Sequence, residues 1–251
     1  MHMLVCSLMD YVCLAAGKGK RLGLLGRYLQ KCMYPVGLQP FLEFSIRNLA
    51  RSPQLDRDRD RLILVVGHRA EQVIGYFGSR YQGLAIDYLE QREQLGTGHA
   101  LHLVYQTFQP SEPIIAWLAD LYVGTALFET LQMRPERNLQ TLAPGPEGED
   151  DKVRVTIDGD YVTEAWCGSS ELFDVGLWKF SPETLHLMME RQEGEYRVLP
   201  NLQQAIELGE RIGFVRTEEW IHLGGTKPSP EENIRAVVDR VLQLEVNGDR
   251  R

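Results

Sequence analysis

Short apolar runs alternate with segments of helical periodicity through the first 120 residues, and this alternation constrains the fold more than any other feature of the chain. The apolar runs lie at residues 11–16, 62–67, 84–91 and 113–120. Segments with apolar side chains three or four positions apart, typical of amphipathic helices, separate them at residues 41–49, 70–78 and 97–108. Runs that are apolar at successive positions indicate strands covered by helices on both faces. We therefore predict an α/β fold in which strand–helix–strand crossover units build a mainly parallel sheet.

The second half of the chain has a different pattern. Residues 153–166 alternate on both sides of Asp158-Gly159, which predicts a hairpin, and the stretch DVGLWKF predicts a further strand. Helical patterns occupy residues 201–208 and 230–246. The last of these follows a Ser-Pro-Glu start and carries an apolar face that we expect to serve packing. These elements predict a smaller mixed-sheet lobe beside the parallel core.

The charge balance excludes two broad classes of function. A formal net charge of −8 argues against a general binder of nucleic acid or of acidic membranes, because such proteins present a basic face to phosphates. Any anion site must therefore be local. One is visible, since fourteen successive residues without Asp or Glu contain Lys18, Lys20, Arg21, Arg27 and Lys31.

Cysteine usage and hydropathy indicate the compartment. The four cysteines, Cys6, Cys13, Cys32 and Cys167, are scattered without zinc-like spacing, which is typical of buried or free thiols in a reducing compartment. The apolar N-terminus lacks a basic region and is interrupted by Asp10, so it does not match a signal peptide. No window approaches eighteen consecutive apolar residues. We expect a cytoplasmic protein with no membrane partner.

The stretch LAAGKGKRLG, at the end of the first apolar run, is a candidate phosphate-binding loop. It is not a P-loop, because no Gly-Lys pair is followed by the Ser or Thr that would hold magnesium. Nor is it a dinucleotide fingerprint, because Gly17, Gly19 and Gly23 are spaced GxGxxxG rather than GxGxxG. From these residues alone it is either a loop whose backbone N–H groups approach an anion or a basic surface turn.

Three segments in the same order resemble the signature of sugar-1-phosphate nucleotidyltransferases. LAAGKGKRLG with the later KCMYPVG is similar to that family's glycine-rich loop and lysine loop. QREQLGTGHAL is similar to the base-reading segment of the N-acetylglucosamine-1-phosphate and glucose-1-phosphate uridyltransferases, and IIAWLADLYVG to a strand that ends at a metal-binding aspartate. The resemblance covers most of the first 125 residues and implies a three-layer, Rossmann-like nucleotidyltransferase fold.

The reaction implied by the resemblance is attack of a sugar 1-phosphate on the α-phosphorus of a nucleoside triphosphate, with release of pyrophosphate. Its catalysis is mostly positioning and charge neutralisation, so no covalent nucleophile is required. By the same resemblance Arg21 and Lys31 act on the phosphates, and Asp120 and His222 hold Mg²⁺. Asp120 also ends an apolar strand, where a carboxylate is costly unless it binds a cation or caps a turn.

The resemblance also divides a single domain, residues 1–251, between two substrates. Residues 1–125 would form the nucleotide-binding half, and residues 126–251 the sugar-phosphate lobe and C-terminal helix, in which Gly176 and Glu171 contact the sugar. UTP is the expected nucleotide, dTTP remains an alternative, and a homo-oligomer is compatible with the sequence. The residues implied in nucleotide binding are Leu14, Ala15, Ala16, Gly17, Gly19, Lys20, Gln91, Gly96 and Thr97.

Four positions depart from the family's pattern. Lys20 stands where relatives carry threonine, Gln30 replaces a proline, and Ala119 replaces a glycine. His222 occupies the place of a second magnesium-binding aspartate, although magnesium prefers oxygen ligands. Lys20, Gln30 and His222 motivate one alternative, a catalytically inactive regulatory subunit that binds nucleotide sugars. Another alternative is the same chemistry on an acceptor such as phosphocholine, because the resemblance is weakest in the acceptor half. His99, in the base-reading segment, is expected to pack at the start of a helix rather than to take part in chemistry.

Overall fold

The computed structural model describes residues 8–19, 22, 24–145, 153–188, 196–218, 220–223 and 230–248, without the side chains at 230–233, 247 and 248. The strands are β1 (Asp10–Ala15), β2 (Pro35–Val36), β3 (Gln39–Pro40), β4 (Arg61–Val66), β5 (Arg80–Tyr81), β6 (Leu84–Glu90), β7 (Ile114–Leu118), β8 (Leu139–Pro144), β9 (Thr156–Asp158), β10 (Tyr161–Glu164), β11 (Leu172–Phe180) and β12 (Ile212–Arg216). The helices are α1 (Phe41–Ala50), α2 (Ala70–Phe77), α3 (Thr97–Phe108), α4 (Thr125–Met133), α5 (Pro182–His186), α6 (Val198–Glu207) and α7 (Pro230–Gly248).

One 10-stranded sheet runs through the molecule in the order β5-β6-β4-β1-β7-β11-β8-β12-β10-β9. Within this sheet the four adjacent strands β6, β4, β1 and β7 are parallel to one another. This arrangement confirms the predicted crossover units. β11 is antiparallel to both β7 and β8, and β12 is parallel to β8. The strands of the second half therefore continue the same sheet and make it mixed.

Helices cover both faces of the sheet, as the successive apolar positions predict. On β1, Tyr11 and Cys13 face a core that they share with α1, α2 and α4. Val12 and Leu14 face a core on the other side, shared with α3, α5 and α6. Every residue of β1 is buried, because both surfaces of this central strand are packed. The chain thus has the predicted three-layer α/β fold.

Several elements were not predicted from the sequence, among them α4 and the short strands β2, β3 and β5. Two further omissions have physical explanations. β8 lies inside the sheet but contains the buried polar residues Gln140 and Thr141, which interrupt its apolar run. α5 is only five residues long, too short for a periodic pattern. The predicted hairpin is confirmed, with Asp158 paired to Tyr161, so that the two residues of its turn are Gly159 and Asp160.

The C-terminal helix α7 packs on the first half of the chain, as expected. Ile234 and Val241 are buried in a cluster with Val36 and other apolar residues, whereas Leu242 is 39% exposed. Near the end of the helix, Glu245 accepts a hydrogen bond from the Tyr122 hydroxyl at 3.0 Å and forms an ion pair with Arg47. The expected helix start at residue 229 lies outside the described residues.

The three described cysteines are free thiols, as their scattered spacing predicts. Cys13 and Cys32 are buried free thiols and Cys167 is an exposed one, while Cys6 lies outside the described residues. Burial raises the pKa of the Cys13 and Cys32 thiols well above its usual range, so both stay protonated. Within the described ranges, no helix is both long enough and apolar enough to cross a bilayer.

Candidate active site

A cavity of about 470 Å³ opens where β1, β6 and β7 end, at the carboxyl edge where open α/β sheets bind ligands. It brings together most of the residues that the sequence singles out, namely Leu14, Ala15, Ala16, Gly17, Gly19, Lys31, Gln91, Gly96, Thr97, Asp120 and His222. Lys20 and Arg21 lie outside the described residues, and their roles stay predictions.

The glycine-rich loop and the lysine loop pack directly on each other. Gly19 has a φ of +58°, and a Cβ at this position would lie 3.2 Å from the Cβ of Lys31. Gly26 comes so close to Gly19 that a Cβ on Gly26 would lie 2.6 Å from the Gly19 carbonyl oxygen. Glycine at these two positions therefore lets the loop backbone reach the cavity beside Lys31.

Gln30 joins the two loops. Its side chain is 2% exposed, and Nε2 donates to the carbonyl oxygens of Ala15 at 2.5 Å and Gly17 at 3.1 Å. Its Oε1 accepts from the backbone N–H of Cys32 at 3.4 Å, at the start of the short 3-10 helix that carries Lys31. The residue that replaces the family's proline thus bridges the end of β1 and the lysine loop.

Lys31, Asp120 and His222 meet just beyond the end of β7. Nζ of Lys31 lies 2.5 Å from Oδ2 of Asp120, and Nε2 of His222 lies 3.1 Å from the same oxygen. These side chains are 12%, 21% and 25% exposed, respectively. Burial acts to raise the pKa of the Asp120 carboxyl, but the charges and hydrogen bonds of His222 and Lys31 hold that pKa well below its usual range. Asp120 is therefore an ionised carboxylate at neutral pH.

Backbone pairing brings His222 to Asp120 from 102 positions further along the chain. His222 forms an isolated antiparallel bridge with Leu121. The backbone N–H of Leu223 donates to the carbonyl oxygen of Asp120 at 2.7 Å. The segment at 221–223 therefore runs beside the residues that follow β7, and this contact fixes the place of the imidazole.

The side chains present fit Mg²⁺ in part. Asp120 supplies a carboxylate in the cavity wall, and proteins commonly hold magnesium through one or two carboxylates together with substrate phosphates and water. Among the described residues, no group of three or more His, Cys, Asp and Glu side chains could hold a metal ion, so further ligands would come from the substrates. His222 offers a nitrogen, which magnesium binds poorly. Its assignment as a metal ligand stays a prediction.

Residues 91–101, the segment that the resemblance predicts to read the base, fold back around the carboxamide of Gln91. Gln91 follows β6 and is 4% exposed. Its Nε2 donates to the carbonyl oxygen of Gly96 at 3.0 Å and lies 3.0 Å from Nδ1 of His99. Thr97 is the first residue of α3. These bonds give the segment a defined shape.

Chain from the second half closes over the same segment. The backbone N–H of Gly98 donates to the carbonyl oxygen of Tyr196 at 2.9 Å. The backbone N–H of Tyr196 donates in turn to the carbonyl oxygen of Leu95 at 2.6 Å. Gly96 has a φ of +112°, and a Cβ there would lie 2.2 Å from the Tyr196 carbonyl oxygen. Only glycine fits at this close approach of two backbones.

β11 packs behind the cavity wall at an irregularity in its pairing, and none of its residues, Gly176 included, lines the cavity. The register with β8 shifts between Asp174 and Trp178, and Gly176 between them has a φ of +86°. A Cβ on Gly176 would lie 2.5 Å from Cδ1 of Leu118, which lines the cavity. Glu171 is exposed and does not line the cavity. The sugar contacts of Gly176 and Glu171 stay predictions.

Sequence reasoning missed part of the cavity wall. Leu118 and Ala100 line the cavity, but an apolar side chain at the end of a strand or in the first turn of a helix is indistinguishable from ordinary core. Gln94 lines it as well, and its position inside the base-reading segment was an available signal. For Gln30, the signal was a polar residue in place of a proline.

The arrangement suits chemistry on a nucleotide. Lys31 and Asp120 lie where the backbone of the glycine-rich loop enters the cavity, and the Gln91 segment forms another part of its wall. Charged side chains at one place in a cavity suit an anionic ligand, and a polar segment at another place suits specific contacts with it. The fold and the site together define a nucleotidyltransferase.

Comparison with known families agrees with this conclusion. The model of the Nucleotidyl transferase family matches residues 11–154, and the chain belongs to that family. It is 29% identical over 224 residues to a UTP–glucose-1-phosphate uridylyltransferase of Haloferax volcanii, covering 84% of this chain and 89% of that protein. It is 26% identical over 226 residues to the bifunctional protein GlmU of Methanococcus maripaludis, covering 86% of this chain and 51% of that protein. The chain therefore spans about half the length of this bifunctional relative.

A solved structure shows the same fold. The structure of UDP-glucose pyrophosphorylase complexed with UDP-glucose superimposes with a TM-score of 0.74 at 16% identity, covering 94% of this chain and 99% of the other. These comparisons confirm the predicted resemblance to sugar-1-phosphate nucleotidyltransferases, the predicted fold and the predicted enzyme class.

Proposed function

We propose that this enzyme makes a UDP-sugar and pyrophosphate from UTP and a sugar 1-phosphate, with Mg²⁺ as cofactor. The observation that carries the proposal is that Lys31, Asp120 and Gln91 line one cavity at the carboxyl edge of the sheet. A nucleoside triphosphate in this cavity meets the charged pair with its phosphates and the Gln91 segment with its base. The relative named as a UTP–glucose-1-phosphate uridylyltransferase supports the choice of nucleotide.

In this proposal the two loops hold the triphosphate. Backbone N–H groups between Gly17 and Gly19 would donate to the phosphates, as in other glycine-rich anion sites, and Arg21 would act on the same phosphates, as the resemblance implies. Lys31 adds a positive charge where negative charge develops during the displacement. Gln30 keeps the two loops in register through its bonds to Ala15, Gly17 and Cys32.

Asp120 is the residue that would hold Mg²⁺, with phosphate oxygens and water as further ligands. When bound, the ion neutralises the charge of the phosphates in the transition state. Lys31 then exchanges its contact with Asp120 for one with the phosphates. His222 keeps its hydrogen bond to Asp120 and orients the carboxylate, as groups behind a metal ligand commonly do.

The acceptor would enter beside β11, in the half formed by residues 126–251, while residues 1–125 bind the nucleotide. Gly176 lies against Leu118 at the edge of the cavity, so a sugar phosphate on this side can reach the α-phosphorus in line with the leaving pyrophosphate. Its phosphate oxygen is the nucleophile, and the protein has only to align it.

Pyrophosphate release provides the direct test. Purified protein with MgCl₂ and UTP should release pyrophosphate only when a hexose 1-phosphate is added, and dTTP, CTP and GTP should be poorer donors. Asp120→Asn should abolish this turnover. The matched variant Asp87→Asn, at an exposed carboxylate that pairs with Arg61, should retain it.

Three outcomes would change the assignment. No pyrophosphate with any nucleotide across a panel of hexose 1-phosphates would overturn the proposal. Tight binding of a UDP-sugar without turnover would indicate a regulatory protein. Turnover with phosphocholine but with no sugar phosphate would replace the acceptor class and leave the chemistry unchanged.

A further inference from the structure

Both hydrogens of the Gln91 amide are used inside the base-reading segment. One meets the carbonyl oxygen of Gly96 at 3.0 Å and the other meets Nδ1 of His99 at 3.0 Å. A carboxamide has two donor hydrogens and one acceptor oxygen. The only polar atom of the Gln91 side chain that remains for a ligand in the cavity is therefore Oε1, an acceptor.

The orientation of this amide follows from its two neighbours. A backbone carbonyl oxygen can only accept, so Gly96 requires the nitrogen of the amide on its side. Nδ1 of His99 receives the second hydrogen only while it carries a lone pair. The ring proton of a neutral His99 must then be on Nε2.

The surroundings of His99 favour that neutral form. Burial lowers the pKa of His99, and this effect exceeds the opposing influence of Glu93, whose backbone hydrogen-bonds the ring and whose charge would stabilise a protonated form. The ring also lies 5.8 Å from that of Tyr196, centroid to centroid. Contacts from two parts of the chain therefore hold the imidazole beside Gln91.

We propose that His99 is a positioning residue that fixes the Gln91 carboxamide with its oxygen available to the base, so that the site selects a pyrimidine with a hydrogen-bond donor at its N3 edge. The inference rests on the proposed function, in which the base meets Gln91. Uracil and thymine carry N3–H and can donate to Oε1. Cytosine carries a lone pair at N3, which faces the lone pairs of Oε1 without a hydrogen between them, and buried polar groups left unpaired give strong discrimination.

Two substitutions separate this role from packing. His99→Phe keeps an aromatic ring beside Tyr196 and removes the Nδ1 acceptor. His99→Asn removes the ring but places an amide oxygen near the position of Nδ1. A residue that only packs would be replaced better by Phe, whereas a residue that orients Gln91 would be replaced better by Asn.

The experiment measures binding of UTP and CTP by calorimetry, so that it does not depend on turnover. Wild type should bind UTP more tightly than CTP. In His99→Phe the ratio of the two affinities should fall about ten-fold, the contribution of one hydrogen bond, while the affinity for the sugar 1-phosphate stays the same. In His99→Asn most of the ratio should be kept.

A second measurement uses the wild-type protein alone. Nitrogen-15 NMR of the assigned His99 ring should show a neutral imidazole with its proton on Nε2. A proton on Nδ1, an unchanged ratio in folded His99→Phe, or a ratio lost equally in both variants would overturn the inference. A protein that discriminates UTP from CTP through His99 but releases no pyrophosphate would instead contradict the proposed function and leave the inference standing.

Discussion

Nζ of Lys31 lies 2.5 Å from Oδ2 of Asp120, so a lysine and a carboxylate 89 positions apart form an ion pair in the wall of the cavity. In the proposed reaction each partner has another use, because phosphates attract the lysine and Mg²⁺ attracts the carboxylate. Substrate binding then exchanges one internal ion pair for two contacts with the ligand. The ion pair holds both side chains near the positions that the proposed reaction requires, which lowers the cost of ordering them.

Lys31→Ala should abolish turnover almost completely. Removing one group that stabilises developing charge commonly lowers kcat by about 10²–10³-fold, and Lys31 is the lysine beside Asp120. Steady-state kinetics with UTP and the best sugar 1-phosphate gives the measurement. Arg27→Ala removes the same charge from an exposed residue of the same basic segment that does not line the cavity, so it should keep most activity. An equal loss of kcat in both variants would mean that catalysis depends on the overall positive charge of the basic segment and not on the position of Lys31.

Gln30→Glu should weaken nucleotide binding more than its small change in shape suggests. The carboxylate keeps an acceptor for Cys32 but loses both donors to Ala15 and Gly17. Buried carbonyl groups left without a donor cost about 1–3 kcal/mol each. We expect the KM for UTP to rise about ten-fold and the melting temperature to fall.

The control for Gln30 is a glutamine with a similar local role. Gln203 accepts from the backbone N–H of Ala165 at 2.9 Å and does not line the cavity, so Gln203→Glu keeps its acceptor there. This variant should leave the KM for UTP unchanged. A Gln30→Glu enzyme that loses stability but binds UTP normally would restrict Gln30 to a structural role.

The sequence predicts the parts of this site whose signal lies within one short segment. It does not predict the parts that depend on contacts made only in the folded chain. The apolar run that ends at Gly17 and the carboxylate Asp120 at a strand end carry their own signals, because parallel strands bring their carboxyl ends to one edge. The departure from the family's pattern marks the position of Gln30, but its role has no signal in the sequence, since it depends on where two backbone carbonyls point. The bond from Gln91 to His99 likewise needs the turn between them, so the expectation that His99 packs at a helix start left it out.

Gly176→Ala should impair the acceptor side of the site. Alanine there is strained at a φ of +86° and its Cβ would lie 2.5 Å from Cδ1 of Leu118, so the Leu118 side chain must move in the cavity wall. We expect the KM for the sugar 1-phosphate to rise several-fold while the KM for UTP changes less. The double variant with Leu118→Ala should recover part of this loss, because the second change removes the collision.

Gly159→Ala separates backbone strain from that collision. Gly159 also has a positive φ, +55°, but a Cβ there meets nothing within 4 Å. Strain alone should therefore lower its stability by about 1 kcal/mol and leave both KM values unchanged. Similar kinetics for the two glycine variants would remove Leu118 from the explanation.

A buried carboxylate in β11 should make stability depend on pH in an unusual direction. Asp174 is 5% exposed and accepts hydrogen bonds from Gln140 Nε2 at 2.9 Å, Trp178 Nε1 at 2.8 Å and Gly176 N–H at 2.9 Å. Burial raises its pKa to about 6, although all three bonds favour the charged form. The folded state thus binds this proton more tightly than the unfolded state, whose carboxyl group titrates near pH 4.

Stability should therefore fall as pH rises between about 4 and 6, because the folded state must release the proton in that window. The contribution of the protonated form is complete below pH 4 and lost above pH 6, and a shift of about two pH units corresponds to about 3 kcal/mol at most. Asp174→Asn cannot titrate, so urea unfolding from pH 4 to 7 should show a smaller decrease for the variant than for wild type. Asp158→Asn, at the exposed end of β9, should follow the wild-type curve. Parallel curves for wild type and Asp174→Asn would mean that Asp174 is already ionised at pH 4, with its three donors outweighing its burial.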